Sequence, residues 1–298
     1  MQTNELKKPL SLKAKLSELV ERLDLLLPPK NRAPNWDAFA YKWKRFGFRG
    51  VLLALEMPNT FGLERLVNID KQVRLLVRNT EQFLNGYTAN NVLLTGARGT
   101  GKSSLVKALL HDYADQGLRL VEVDKSGLLS LPYLLSLLRV RPEKYILFCD
   151  DLSFDLGESE YKELKIALDG SLSTKADNVL VYATSNRRHL MPQLHIDNLV
   201  SQNHDEAEIH PAEAIEEKTS LSDRFGLWLS FHPFNQEQYL AAVESWLKAF
   251  AVVFSDAARQ EALRWAQHKG GRSGRVAWQF VCDWAGRQKL AAERETLK

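Results

Sequence analysis

Gly96-Ala97-Arg98-Gly99-Thr100-Gly101-Lys102-Ser103 decides how the rest of the chain is read. The octapeptide satisfies G-x-x-x-x-G-K-[ST], and its surroundings carry more weight than the match itself. Asn91–Thr95 is a short apolar run that reads as a buried strand leading into the loop, and Ser103 to His111 reads as a helix leaving it. Between a strand and a helix, glycines let the backbone curl until successive N–H groups face inward toward phosphate oxygens. The helix N-terminus adds its partial positive charge. Lys102 would reach the β- and γ-phosphates of a nucleotide, and the Ser103 hydroxyl would enter the shell of a Mg²⁺ ion. The candidate nucleotide-binding residues are Gly96, Ala97, Arg98, Gly99, Thr100, Gly101, Lys102, Ser103 and Ser104.

Working outward, further short apolar runs alternate with helical patterns: Leu118–Asp124, Lys144–Cys149, Asn178–Thr184 and Leu227–Phe231. Continuous apolar strands alternating with helices indicate an α/β fold with a parallel sheet. Helical periodicity over Ile69 to Leu84, closed by Gly86, precedes the first of these strands. After Pro233 the strand patterns stop and three helical ones follow, Asn235–Phe250, Asp256–His268 and Ser273–Leu290. The expected domains are an N-terminal arm (1–62), an α/β domain (63–232) and a helical lid (233–298).

Three strand ends carry chemistry. Tyr145-Ile146-Leu147-Phe148-Cys149 terminates in Asp150-Asp151, two carboxylates at the tip of a buried strand. Asp150 is the candidate Mg²⁺ ligand beside Ser103, and Asp151 the group that orients an attacking water. Asn178 to Ala183 ends in Thr184-Ser185-Asn186, which places the Asn186 amide next to that acidic tip. Ser222-Asp223-Arg224-Phe225-Gly226 precedes the last strand, so Arg224 could reach a phosphate held by a neighbouring subunit. Gly271-Arg272-Ser273-Gly274-Arg275 opens the last helix. A cation is unfavourable at a helix N-terminus, which favours a functional reason for Arg275 there. Cys149 reads as a small core residue, with no cationic partner to activate it.

Taken together, GARGTGKS (96–103), YILFCDD (145–151), TSN (184–186), LSDRFG (221–226) and GRSGRVA (271–277) resemble the signature elements of an AAA+ ATPase. The resemblance covers Leu63 to about Gly286. It implies a P-loop three-layer sandwich with a five-stranded parallel sheet ordered 5-1-4-3-2, followed by a small all-helical lid. It implies ATP and Mg²⁺ as cofactors, Lys102, Asp151, Asn186 and Arg224 as catalytic residues, and Ser103 and Asp150 at the metal. It also implies nucleotide contacts from Arg275 and, through the linker-like stretch Leu66-Val67-Asn68-Ile69, from Val67. The assembly the resemblance implies is a homo-oligomeric ring or open ring, a hexamer being one such form, acting on a protein client or nucleic acid. LSDRFG followed by the lid is similar to the branch-migration and initiator-like branches. The whole chain most resembles a family of bacterial predicted AAA+ ATPases without an established substrate. The chain departs from the family pattern in having Asp151 where Glu is usual, one methylene shorter. Asp124 to Tyr145 also lacks an aromatic–hydrophobic–Gly pore signature; Leu128, Leu129, Leu131 and Leu134 look like packing residues.

Composition bounds the rest. The 298 residues are 45% hydrophobic and 26% charged, with a net charge of +3 and two cysteines, Cys149 and Cys282. This excludes collagen-like or low-complexity chains and a disulfide framework. No apolar run is long enough to span a bilayer and no signal peptide is visible, so a cytoplasmic location is expected. The near-neutral sum hides two charged segments. Residues 1–50 hold eleven Lys or Arg against five Asp or Glu, whereas the insertion at 195–220 is acidic, with six carboxylates against Lys218 within 201–220. In the arm, Leu12, Leu16, Leu19, Val20, Leu23, Leu26 and Leu27 recur at helical spacing up to Pro28-Pro29. Tyr41-Lys42-Trp43-Lys44-Arg45-Phe46-Gly47-Phe48-Arg49 interleaves aromatics with cations; the aromatics either dock on the core with the cations in water or stack on single-stranded nucleic acid. The acidic stretch reads as a solvated loop or a partner-docking loop. His195, His204 and His210 are too irregularly spaced to suggest a metal.

Overall fold

The computed structural model describes residues 33–46, 49–57, 61–154, 158–169, 177–186 and 221–296. The leucine-rich pattern over 12–27 and the acidic insertion lie outside these residues. Among the described residues the elements run β1 (Ala40–Phe46), β2 (Arg49–Leu55), α1 (Asp70–Leu84), β3 (Val92–Gly96), α2 (Lys102–Tyr113), β4 (Leu118–Val123), α3 (Leu131–Leu138), β5 (Lys144–Cys149), α4 (Ser159–Asp169), β6 (Val179–Ser185) and β7 (Leu227–Phe231). Three lid helices follow, α5 (Gln236–Ala249), α6 (Asp256–His268) and α7 (Gly274–Thr296).

The strands form one sheet in the order β2-β1-β4-β5-β6-β3-β7. From β1 to β7 every neighbouring pair is parallel, and β2 closes the far edge antiparallel to β1. The sheet is therefore seven-stranded and mixed, a correction to the five parallel strands expected. The strands after Asn91 run β7-β3-β6-β5-β4, and the β1–β2 hairpin is added outside β4. The arm expected over 1–62 is accordingly not separate between residues 40 and 55. Side-chain alternation explains why. Tyr41, Trp43 and Leu52 point to one face and are buried, and the Trp43 indole N–H donates to Ser130 Oγ at 2.9 Å. Lys42 points to the other face and pairs with Glu122 of β4 at 3.2 Å. With Tyr41 and Trp43 inside the core, they are not a surface on which nucleic-acid bases could stack.

Two apolar layers flank the sheet. Tyr145, Leu147 and Cys149 of β5 face a core shared with the α3 leucines and with Tyr161 and Leu164 of α4. Ile146 and Phe148 face the opposite core, built with Leu76 and Phe83 of α1 and Leu105 and Leu109 of α2. Leu128, Leu131 and Leu134 are fully buried. A third core holds the lid together: Tyr239, Val243 and Leu247 of α5, Ala258, Ala262 and Ala266 of α6, and Phe280 and Val281 of α7. α5 begins with a reciprocal capping box between Asn235 and Gln238. Val67 packs against this third core, and the Asn68 amide donates to Gln238 O at 2.8 Å, so the linker before α1 is fastened to the lid.

Candidate nucleotide-binding and catalytic site

The loop between β3 and α2 is shaped by three glycines with positive φ, Gly96 (134°), Gly99 (76°) and Gly101 (100°). A Cβ at Gly96 would lie 1.9 Å from Phe231 O of β7, so only hydrogen fits there. Gly101 precedes α2 and supplies no side-chain cap, leaving the first N–H groups of the helix directed into the loop. Lys102, nearly buried, uses all three of its protons: on Gly96 O (2.7 Å), Ala97 O (2.8 Å) and Asn186 Oδ1 (3.0 Å). Burial pushes its ammonium below the usual lysine range, Asp151 and Asp150 oppose that shift, and Arg275 and Arg98 add to it.

The acidic strand tip is organised by β6. Thr184 Oγ1 donates to Asp150 Oδ1 at 2.6 Å and accepts from the Asp151 N–H at 2.9 Å. Ser103 Oγ also donates to Asp150 Oδ1, at 2.6 Å. Asp151 has a left-handed backbone (φ 53°), a conformation Asp tolerates better than most residues, and its carboxylate accepts from the Asn186 amide. The Arg98 guanidinium lies 3.8 Å from the other oxygen of Asp151. Asn186 thus bridges Lys102 and Asp151, one amide serving a cation with its oxygen and an anion with its nitrogen.

These groups open into a cleft of about 630 Å³ between the loop and the lid. On the lid side, Arg275 N donates to Gly99 O at 3.2 Å, and a Cβ on Gly99 would meet Ser273 Oγ at 2.8 Å. The far wall is aromatic: Trp246 makes edge contacts with Phe61 (4.8 Å between centroids) and Trp278 (4.6 Å). The donors suit Mg²⁺ with a nucleotide. Ser103 and Asp150 converge as two hard oxygen ligands, and Mg²⁺ characteristically takes one or two protein oxygens with phosphate oxygens and water completing its shell. Among the described residues there is no cluster of three or more His, Cys, Asp or Glu that would hold a metal without such help.

Of the candidate residues, Val67, Arg98, Gly99, Thr100, Gly101, Lys102, Ser103, Ser104, Asp150, Asp151, Asn186 and Arg275 all line this cleft. Gly96 and Ala97 sit behind it and offer carbonyls to Lys102. Arg224 does not line it; its guanidinium pairs with Asp169 at the end of α4. Sequence reasoning missed two features. In the sequence Thr184 reads only as part of a polar strand tip, although its hydroxyl holds the Asp150 carboxylate and the Asp151 backbone N–H. Phe61, Trp246 and Trp278 gave no signal beyond ordinary apolar positions, because their convergence depends on how the lid folds back.

A glycine-shaped loop at the tip of a central parallel strand, an acidic tip two strands away and a helical lid over both define the AAA+ type of P-loop architecture. The chain belongs to the family described as Protein of unknown function (DUF815), whose model matches residues 36–288. No match was found among curated proteins. Among solved structures, the chain is similar to the RuvB Holliday junction branch migration motor of Thermotoga maritima, with 17% identity and a TM-score of 0.46 over 76% of this chain and 63% of that one. It thus spans less than two thirds of that protein's length. A DNA replication initiation factor gives 13% identity and a TM-score of 0.46 over 79% and 67% of the two chains. A chain of the HORMA:CdnC:Trip13 complex of E. coli MS115-1 gives 14% identity and a TM-score of 0.45 over 68% and 75%.

Proposed function

We propose that this protein is an ATPase that binds ATP with Mg²⁺ in the cleft between sheet and lid, hydrolyses it, and couples the cycle to remodelling a macromolecular partner. The observation that carries the reading is the convergence of Lys102, Ser103, Asp150, Asp151 and Asn186, from three separate segments, on one cleft. When bound, Mg²⁺ would supply Lewis-acid charge at the phosphate oxygens. Lys102 neutralises phosphate charge, Ser103 and Asp150 hold the metal, Thr184 keeps Asp150 aimed, and Asp151 with Asn186 orients water. Arg275 approaches the phosphates from the lid. Arg224, turned away from its own cleft, completes the site of a neighbouring copy in a homo-oligomeric ring or open ring. The partner is a protein client or a nucleic acid, and the setting is cytoplasmic, in keeping with the two unpaired thiols. The domains in this reading are an ATPase unit ending near residue 232 and a lid from 233.

ATPase rates measured over a range of protein concentrations test the proposal. Turnover per subunit should rise as subunits assemble, Lys102→Ala should abolish nucleotide binding, and Arg224→Ala should spare binding while suppressing turnover. Unchanged rates in the assembled Arg224→Ala protein would refute the role across subunits. The shorter Asp151 favours a second reading, a slow-turnover nucleotide switch, for which binding is tight but the rate stays flat with concentration.

A further inference from the structure

Arg98 occupies a place in the loop that the phosphate-binding pattern leaves unspecified: glycines, lysine and hydroxyl are fixed, and this position is not. Its guanidinium nonetheless lies in the cleft, 3.8 Å from Asp151 Oδ2, while Asn186 holds the opposite oxygen of the same carboxylate. We propose that Arg98 is a positioning residue for Asp151, fixing the plane in which that carboxylate meets the attacking water. The assignment rests on the ATPase reading above and gives Arg98, so far only one of the residues of the nucleotide loop, a role toward Asp151.

Four features of the site support it. Asp151 leaves β5 through a left-handed turn, so strand geometry does not aim its side chain and flanking groups must. A single amide contact on one oxygen leaves a carboxylate able to rotate about its Cβ–Cγ bond; a guanidinium charge 3.8 Å from the other oxygen biases that rotation, and Arg presents its donors in a planar fork that can close on the carboxylate. Asp is also shorter than Glu, so its reach toward water depends on placement more than on side-chain length. Arg98 itself starts from a fixed point. The next residue, Gly99, accepts the Arg275 N–H and has Ser273 packed against its Cα, which ties the loop to the lid. Both members of the pair are well exposed (side chains 74% and 58%), so the contact adds little to folding stability and its effect belongs to turnover.

The test combines steady-state ATPase kinetics of the full chain with equilibrium binding of a fluorescent ATP analogue. Arg98→Gln should lower kcat roughly tenfold or more, since small misplacements of reacting groups cost that much, while KM and Kd change less than about twofold. Arg98→Lys should recover part of the loss by keeping the charge. In single-turnover reactions, Arg98→Gln should lose its effect in the Asp151→Asn background, because the two residues act through one carboxylate. Thermal unfolding midpoints matching the wild type establish that each variant is folded. A wild-type kcat in Arg98→Gln overturns the assignment. So does a raised KM with intact kcat, or two losses that multiply in the double variant, either of which places Arg98 on the phosphates independently of Asp151. A wild-type chain that neither binds nor hydrolyses ATP overturns the ATPase reading itself, a result distinct from all of these.

Discussion

Replacing Thr184 separates packing from polar organisation at the acidic strand tip. Thr184 is 1% exposed, and its hydroxyl serves Asp150 and the Asp151 N–H at once. Valine keeps nearly the same volume but has no hydroxyl. Its loss removes a hydrogen bond to a charged group and strands a backbone donor, together about 2–4 kcal/mol. Serine keeps both hydrogen bonds and loses one buried methyl, about 1 kcal/mol. The more conservative shape should therefore be the worse substitution. Urea midpoints should fall further for Thr184→Val than for Thr184→Ser. Mg²⁺-dependent ATP binding, measured by titrating the metal at fixed nucleotide, should weaken roughly 10–100-fold in Thr184→Val, the range seen when a partner that orients a metal ligand is removed. Thr184→Ser should stay near wild type. If the valine variant equalled or exceeded the serine variant in stability and Mg²⁺ dependence, the hydroxyl would have no organising role and the account of this tip would fail.

Two further outcomes test the fold around the site. A Cβ at Gly50 would fall 2.0 Å from the Trp43 ring, so Gly50→Ala should destabilise the protein by about 1–3 kcal/mol, read as a lower urea midpoint. Burial pushes the Cys149 thiol up to about 12, with Asp124 and Asp150 adding to the shift. Because the folded value is raised, the associated stability is complete below the ordinary thiol range and is lost as pH rises toward that folded value. Native alkylation at mildly alkaline pH should consequently label Cys282, which is exposed, and spare Cys149, with a second adduct appearing by mass spectrometry only in denaturant.

The chemistry-bearing elements were legible because each is local. Gly96–Ser103 carries its own spacing, and the apolar run Tyr145–Cys149 ends in its carboxylates whatever else the chain does. β3, β5 and β6 read as strands because both faces are buried, which leaves a nearly continuous apolar signature, while β4 and β7 keep enough buried Leu, Val and Phe to read as short apolar runs. β1 and β2 did not, since one face of β1 carries Lys42 and Lys44. An alternation of cations with Tyr41 and Trp43 reads as an amphipathic segment docked on the core or as an exposed arm, and does not name a strand until Glu122 is seen across the ladder. Thr184 and the Phe61–Trp246–Trp278 wall were hidden for another reason. Their roles arise from contacts between residues far apart in sequence, Thr184 with Asp150 and Phe61 with Trp246, and no local pattern encodes those.

The hairpin has a mechanical consequence. β1 lies between β2 and β4, laddered on both sides, and runs parallel to β4, which in turn neighbours the strand ending in Asp150. Tension applied along the chain at Ala40 would load the parallel β1–β4 ladder in shear, so its hydrogen bonds would have to fail together instead of unzipping one by one. A force entering through this end of the molecule would therefore be carried across the sheet toward the acidic tip with little slack.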